Sequence, residues 1–139
     1  MHKIQLANEA IPDSKKVSFF GPEKADVAMV GWGSTKGAII DGMQDLEGDG
    51  IRCNFLQIRY MSPFPTELVT KHLSNAKRKV LIENNYSGQL GGLIREHTGI
   101  TMDYKVLKYN GRPFSQNEVY EGVKEAIKNG VKEVVMAHA

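Results

Sequence analysis

Short apolar runs alternate with amphipathic stretches of helical length, and this alternation organises the chain. The run Val27-Ala28-Met29-Val30 is continuous, as suits a strand covered on both faces in a parallel sheet. It leads into Gly31-Trp32-Gly33-Ser34-Thr35, where the glycines permit backbone angles closed to other residues and Ser34 or Thr35 is placed to cap a helix. Ala38, Ile39, Gly42, Met43 and Leu46 recur at helical spacing, with Asp41, Asp45 and Glu47 on other faces. Gly48-Asp49-Gly50 stops this helix, and residues 51–60 predict a second strand through Ile51, Cys53, Phe55, Leu56 and Ile58.

The same succession then repeats. Met61-Ser62-Pro63-Phe64-Pro65 breaks the strand; Pro65 suits a first helical position, Thr66 is a candidate cap, and Leu68, Val69, His72, Leu73 and Ala76 form a helical stripe. A third strand is predicted at 79–82, a polar exit at 83–88, and a helix carrying Leu90, Leu93, Ile94 and His97 on one stripe up to Gly99. A fourth strand at 104–109 turns at Asn110-Gly111-Arg112-Pro113. Ser115-Gln116-Asn117-Glu118 fits a capping box, with Phe114 and Val119 placed as a hydrophobic staple, and Val119, Val123, Ala126 and Ile127 give the last helix its core face before Asn129-Gly130. The tail 131–136 is either a final edge strand or a segment that docks elsewhere.

Residues 1–24 lack this pattern. Turn signals surround Val17-Ser18-Phe19-Phe20, predicting a lead-in that packs through Phe19 and Phe20, ahead of one α/β domain at 25–139. So plain a start suggests a piece of a longer polypeptide. Four strand-helix pairs with short links predict a three-layer α/β/α architecture, with a mostly parallel sheet of about five strands and right-handed crossovers. Ligands and partners of such sheets meet the carboxyl ends of the strands, here 31–35, 60–62, 83–87 and 110–112.

Composition narrows the function classes. The 139 residues, 41% of them hydrophobic, suit a single core. The 18 basic and 16 acidic residues give a charge of +2 with no basic block, which argues against a nucleic-acid surface. One cysteine, Cys53, permits neither a disulfide nor a thiolate-held cluster within the chain, and its strand position predicts a buried, inert thiol. Without a signal-peptide core or an apolar run of ~20 residues, a cytoplasmic protein with no membrane partner is expected.

The candidate chemical motifs fall short. A dinucleotide fingerprint would need a glycine where Lys36 stands, and the second strand ends in Arg59-Tyr60 rather than in an acid. Gly48-Asp49-Gly50 and Asn84-Asn85 match on paper the two halves of a thiamine-diphosphate motif, but they belong to opposite ends of the sheet. His2, His72, His97 and His138 lack metal-ligand spacing, and His97 reads as a helix-end imidazole. No nucleophile elbow surrounds Ser34 or Ser87. Glu83, at a strand end beside two amides, is the best-placed polar group; general acid or base work would need burial and a partner to tune it, whereas a loop-bracing or interface acceptor needs neither, and the second reading is favoured.

Three stretches in order carry a resemblance: residues 31–37 (Gly-Trp-Gly-Ser-Thr-Lys-Gly), 57–65 (Gln-Ile-Arg-Tyr-Met-Ser-Pro-Phe-Pro) and 82–90 (Ile-Glu-Asn-Asn-Tyr-Ser-Gly-Gln-Leu). Over residues 20–130 the chain resembles the carboxyl-terminal domain of the alpha subunit of 2-oxoacid:ferredoxin oxidoreductases, closest to the 2-oxoglutarate type. The resemblance implies a transketolase C-terminal-domain-like fold. It also implies a parent enzyme that decarboxylates a 2-oxoacid on thiamine diphosphate and Mg2+, forms an acyl-CoA from CoA, and passes electrons through iron–sulfur clusters to ferredoxin. It places the cofactors in other domains or in the beta subunit, so this domain is expected to hold no catalytic, cofactor-binding or metal-ligating residue and to have no turnover alone. Gly31, Trp32, Gly33, Ser34, Thr35, Arg59, Glu83, Asn84 and Asn85 are then candidate interface or anion contacts. The rival expectation is a free-standing module that holds a phosphate-bearing metabolite at Gly31 to Thr35.

Overall fold

A computed structural model describes residues 17–32, 36–59, 64–74, 76–84, 89–108 and 112–136. The elements run β1 (Val17–Phe20), β2 (Val27–Trp32), α1 (Lys36–Gly48), β3 (Cys53–Ile58), α2 (Thr66–Ser74), β4 (Arg78–Glu83), α3 (Gln89–Thr98), β5 (Tyr104–Leu107), α4 (Gln116–Asn129) and β6 (Glu133–Val135). They build a six-stranded sheet in the order β1-β3-β2-β4-β5-β6. β2 through β6 pair in parallel, and β1 alone runs antiparallel, with Val17 opposite Ile58 and Phe20 opposite Phe55. The three-layer α/β/α architecture is therefore as expected, with a sixth strand. The run 17–20 is a paired edge strand rather than a lead-in, and the tail 133–135 is the other edge.

Alternation along the strands sorts the core into two layers. Val27 and Met29 of β2, Val80 and Ile82 of β4, and Val106 of β5 face α1 and α4 through Ile39, Leu46, Val119 and Val123. Ala28, Val30, Leu56, Ile58 and Leu81 face α2 and α3 through Val69, Leu73, Leu90 and Ile94. Two helices thus cover each face. β2–α1–β3 and β5–α4–β6 use the same face but step in opposite directions along the sheet, so they have opposite hands. β3–α2–β4 and β4–α3–β5 step the other way on the other face and share the hand of β2–α1–β3. The expectation of uniformly right-handed crossovers is thereby corrected: the last connection is reversed.

Local signals explain most element ends. At the start of α4, the Glu118 N–H donates to Ser115 Oγ (3.1 Å) and the Ser115 N–H donates to Glu118 Oε1 (3.0 Å), completing the capping box. Gly130 closes α4 at φ 66°, a left-handed conformation that penalises a side chain. Thr66 opens α2 rather than capping it: its hydroxyl donates to the Phe64 carbonyl, and the Pro65 carbonyl accepts from the Val69 N–H at 3.1 Å. The cap expected at Ser34 or Thr35 lies outside the described residues.

Candidate functional site

The chain steps from β2 to β3 on one side and then crosses to β4 on the other. The carboxyl ends of β2 and β4 therefore flank the point where the strand order reverses, the usual place for ligands and partners in such sheets. Gly31 and Ile82 are paired partners, so Trp32 and Glu83 come next to each other one step further along the two strands. Trp32 also pairs with Ile58, and Glu83 with Leu107. Both fall on the face covered by α2 and α3.

Gly31 is a strand residue without positive φ. Its need for glycine is close packing: a Cβ there would lie 3.2 Å from the Phe55 ring and 3.3 Å from the Ile82 carbonyl oxygen. Gly31 and Trp32, expected in a turn, thus still belong to β2. The indole of Trp32 is 49% exposed at the strand end. Glu83 is only 7% exposed. Its Oε1 accepts the Leu90 N–H at 3.0 Å near the start of α3, while its Oε2 is buried without a hydrogen-bond partner among the described residues. Burial pushes the Glu83 carboxyl above its ordinary value, against the Leu90 N–H bond and the Lys105 charge. Arg59 and Asn84 are exposed on the same rim. Gly33, Ser34, Thr35 and Asn85 lie outside the described residues.

Other candidates are dispersed. Asp49 accepts the Tyr120 hydroxyl and pairs with Lys124 Nζ at 3.4 Å, at the end of the sheet opposite Asn84. The two halves of the diphosphate-like motif therefore do not meet. Cys53 is buried, and burial with the nearby Glu47 and Asp26 pushes its thiol up to about 12, as suits an inert side chain. One cysteine and a split motif do not fit a cluster or a Mg2+-diphosphate. His97 stacks on Phe64, with ring centroids 4.7 Å apart, at the end of α3. His72 is enclosed between α2 and the sheet, edge-on to Phe19 at 5.1 Å, and burial pushes its imidazole down to about 4 against the pull of the Met29 carbonyl. A cleft of about 200 Å3 opens beside it, walled by Val17, Phe19, Leu56 and Leu68, at the β1 edge and away from the rim.

Two features carry no sequence signal. Lys24, Arg52, Lys77, Arg78 and Lys132, scattered in sequence, gather along the amino-terminal rim. Arg52, Lys77 and Lys132 each follow the end of a helix, where the negative end of the dipole favours cations. Lys108, just after β5, is buried, and its ammonium donates to Glu118 Oε1 (2.6 Å) and to the Pro113 carbonyl (2.9 Å). Among the described residues, no group of three or more His, Cys, Asp or Glu is placed to hold a metal ion, and no helix is long and apolar enough to cross a membrane.

This fold and rim define a transketolase-like α/β domain. A family model described as pyruvate:ferredoxin oxidoreductase core domain II matches residues 25–120, and the chain belongs to that family. It is 40% identical over 134 residues to a 2-oxoacid:ferredoxin oxidoreductase subunit alpha of Saccharolobus solfataricus, covering 96% of this chain and 21% of that one. The chain spans about a fifth of the length of this and similar curated relatives. Among solved structures, it is similar to 2-oxoglutarate:ferredoxin oxidoreductase from Magnetococcus marinus with 2-oxoglutarate, coenzyme A and succinyl-CoA bound (TM-score 0.72, 27% identity, 89% of this chain and 23% of that one). It is also similar to the alpha chain of a probable 2-oxoacid ferredoxin oxidoreductase from Thermoplasma acidophilum (TM-score 0.57, 41% identity, 81% of this chain and 97% of that one). A split-gene transketolase, at 19% identity and TM-score 0.62 over 80% of this chain and 42% of that one, shares the fold.

Proposed function

We propose that this chain is a non-catalytic assembly domain of a cytoplasmic, thiamine-diphosphate-dependent 2-oxoacid:ferredoxin oxidoreductase, closest to the 2-oxoglutarate type. The parent enzyme oxidatively decarboxylates a 2-oxoacid to an acyl-CoA and reduces ferredoxin; thiamine diphosphate, Mg2+ and the iron–sulfur cluster belong to its other parts. The chain's own task is contact. The carboxyl rim meets the neighbouring domains and the beta subunit, and the observation that carries this is the half-exposed Trp32 at the point where the strand order reverses. Family membership and the relatives' names support the parent activity.

Binding of the chain to the enzyme's beta subunit tests the reading. Wild-type chain should bind, and Trp32→Ala should weaken that binding while leaving the melting temperature unchanged. Absence of wild-type binding, together with stabilisation by coenzyme A or a nucleotide of about 2.7 kcal/mol at a hundredfold excess over Kd, would favour a metabolite-binding module instead.

A further inference from the structure

Lys24, Arg52, Lys77, Arg78 and Lys132 line three shallow clefts of about 600, 470 and 330 Å3 that share Lys77 and run along the amino-terminal rim. The lining residues stand at the starts of β2, β3, β4, β5 and β6, five neighbours in the sheet, so the groove crosses four inter-strand steps and spans about 19 Å. Among the described residues, none of the five cations makes a hydrogen bond or an ion pair through its side chain, whereas Lys79, Lys108 and Lys124 are all paired. Two carboxylates share the walls. Asp103 is taken by the Lys79 ammonium (3.2 Å) and the Lys79 N–H (2.9 Å), which leaves Asp26 as the counter-charge. The walls therefore hold four positive charges in excess in a chain whose formal charge is only +2, so the remainder is acidic by two. The four helices end on this rim and offset about half a charge each, which leaves the groove positive.

A charge excess held in this way selects its partner. The backbone here presents helix carbonyls and not N–H donors, so a compact phosphate finds no cradle beneath the ammonium and guanidinium groups. A nucleic-acid duplex carries a charge every ~1.7 Å, far denser than five cations over about 19 Å interrupted by Asp26 and Asp103. Carboxylates on one face of an extended polypeptide recur every ~6.8 Å, comparable with the strand-to-strand spacing of the cations. The exposed large apolar side chains among the described residues, Phe19, Trp32 and Val135, all lie elsewhere, and a contact of exposed charges without an apolar centre forms fast and releases readily. We propose that the amino-terminal groove docks a separate acidic protein, reversibly and in a salt-dependent way, through an extended row of carboxylates. The groove lies at the opposite end of the sheet from Trp32 and is independent of the contact proposed for the carboxyl rim.

Titration of the full chain into a fluorescein-labelled peptide of alternating glutamate and serine, at low and at physiological salt, tests this, with duplex DNA and inorganic triphosphate as rival ligands. The peptide should bind at low salt and weaken roughly tenfold at physiological salt. Lys77→Ala with Lys132→Ala should lose about five- to tenfold in affinity. Lys36→Ala with Arg59→Ala, the same change of charge at the other end of the sheet, should stay within about twofold of wild type, as should Trp32→Ala. All of these positions are exposed, so folding is retained. Carbodiimide coupling, read by mass spectrometry, should join the peptide to Lys24, Lys77 or Lys132. Absence of wild-type binding overturns the proposal, and so does equal loss in the two double variants or coupling spread evenly over the surface lysines, since net charge alone would then explain the affinity. Triphosphate binding more tightly than the peptide overturns it in favour of a compact anion. Duplex DNA binding more tightly, with the same dependence on Lys77 and Lys132, overturns it in favour of a nucleic-acid groove.

Discussion

Replacing Lys108 with methionine removes one ammonium from the junction of β5 and α4 while keeping most of the side chain's volume. In the native chain the Lys108 and Glu118 side chains are 6% and 15% exposed, with Nζ and Oε1 2.6 Å apart. Glu118 also completes the capping box of α4 through the Ser115 N–H. Removing one partner of a buried pair typically costs 3–5 kcal/mol; because Glu118 keeps the Ser115 bond and some contact with water, Lys108→Met should cost about 3 kcal/mol at neutral pH. With a urea m-value of ~2 kcal/mol/M, the midpoint should fall by ~1.5 M. Glu118→Gln should be costly too, and the double variant should be less damaging than the sum by about 1–2 kcal/mol. Burial works to raise the Glu118 carboxyl, but the bonds from Lys108 and Ser115 outweigh it and hold the group below its ordinary value. Its contribution is therefore present above the unfolded value of about 4.3 and is lost as pH falls through the folded one; Lys108→Met should shrink that acid loss. A single-variant cost within about 0.5 kcal/mol of zero, as for exposed pairs, or strict additivity in the double variant, would refute the reasoning.

Two further perturbations test the packing. The depressed His72 imidazole keeps the folded state from binding a proton that the unfolded chain takes up, so its penalty grows as pH falls from about 6.5 to about 4 and reaches ~3 kcal/mol. The stability difference between wild type and His72→Gln should shift by that amount across this range, and a constant difference would count against it. A Cβ at Gly122 would lie 2.6 Å from Val106 Cγ1, so Gly122→Ala should destabilise by about 1–3 kcal/mol, whereas Gly92→Ala, facing open space in α3, should stabilise by about 0.5–1 kcal/mol. Thermal melts of the two variants must move in opposite directions for this account to hold.

The parallel core was legible because its strands announce themselves one at a time. Val27 to Val30 is apolar on both faces, and each helix carries its own periodic stripe and stop. β1 was not, because its partner Ile58 lies far along the chain, and four residues containing Ser18 show no usable alternation. Phe20 packs as anticipated, stacked on Phe55 at 6.0 Å, but Phe19 remains 43% exposed beside His72. Trp32 and Glu83 were legible as rim residues from their positions at strand ends. That they are neighbours depends on β4 pairing with β2 rather than with β3, which periodicity cannot express. Lys108 was missed because only tertiary structure brings it to the capping box.

The reversed last crossover settles how evenly the sheet is shielded. A connection of the usual hand would have carried α4 to the side occupied by α2 and α3, stacking three helices there and leaving α1 alone on the other. Val80, Ile82 and Val106, buried beneath α1 and α4 in this chain, would then have faced water along half of that layer. An uncommon chirality at the sheet's margin is thus what leaves neither side of the sheet bare.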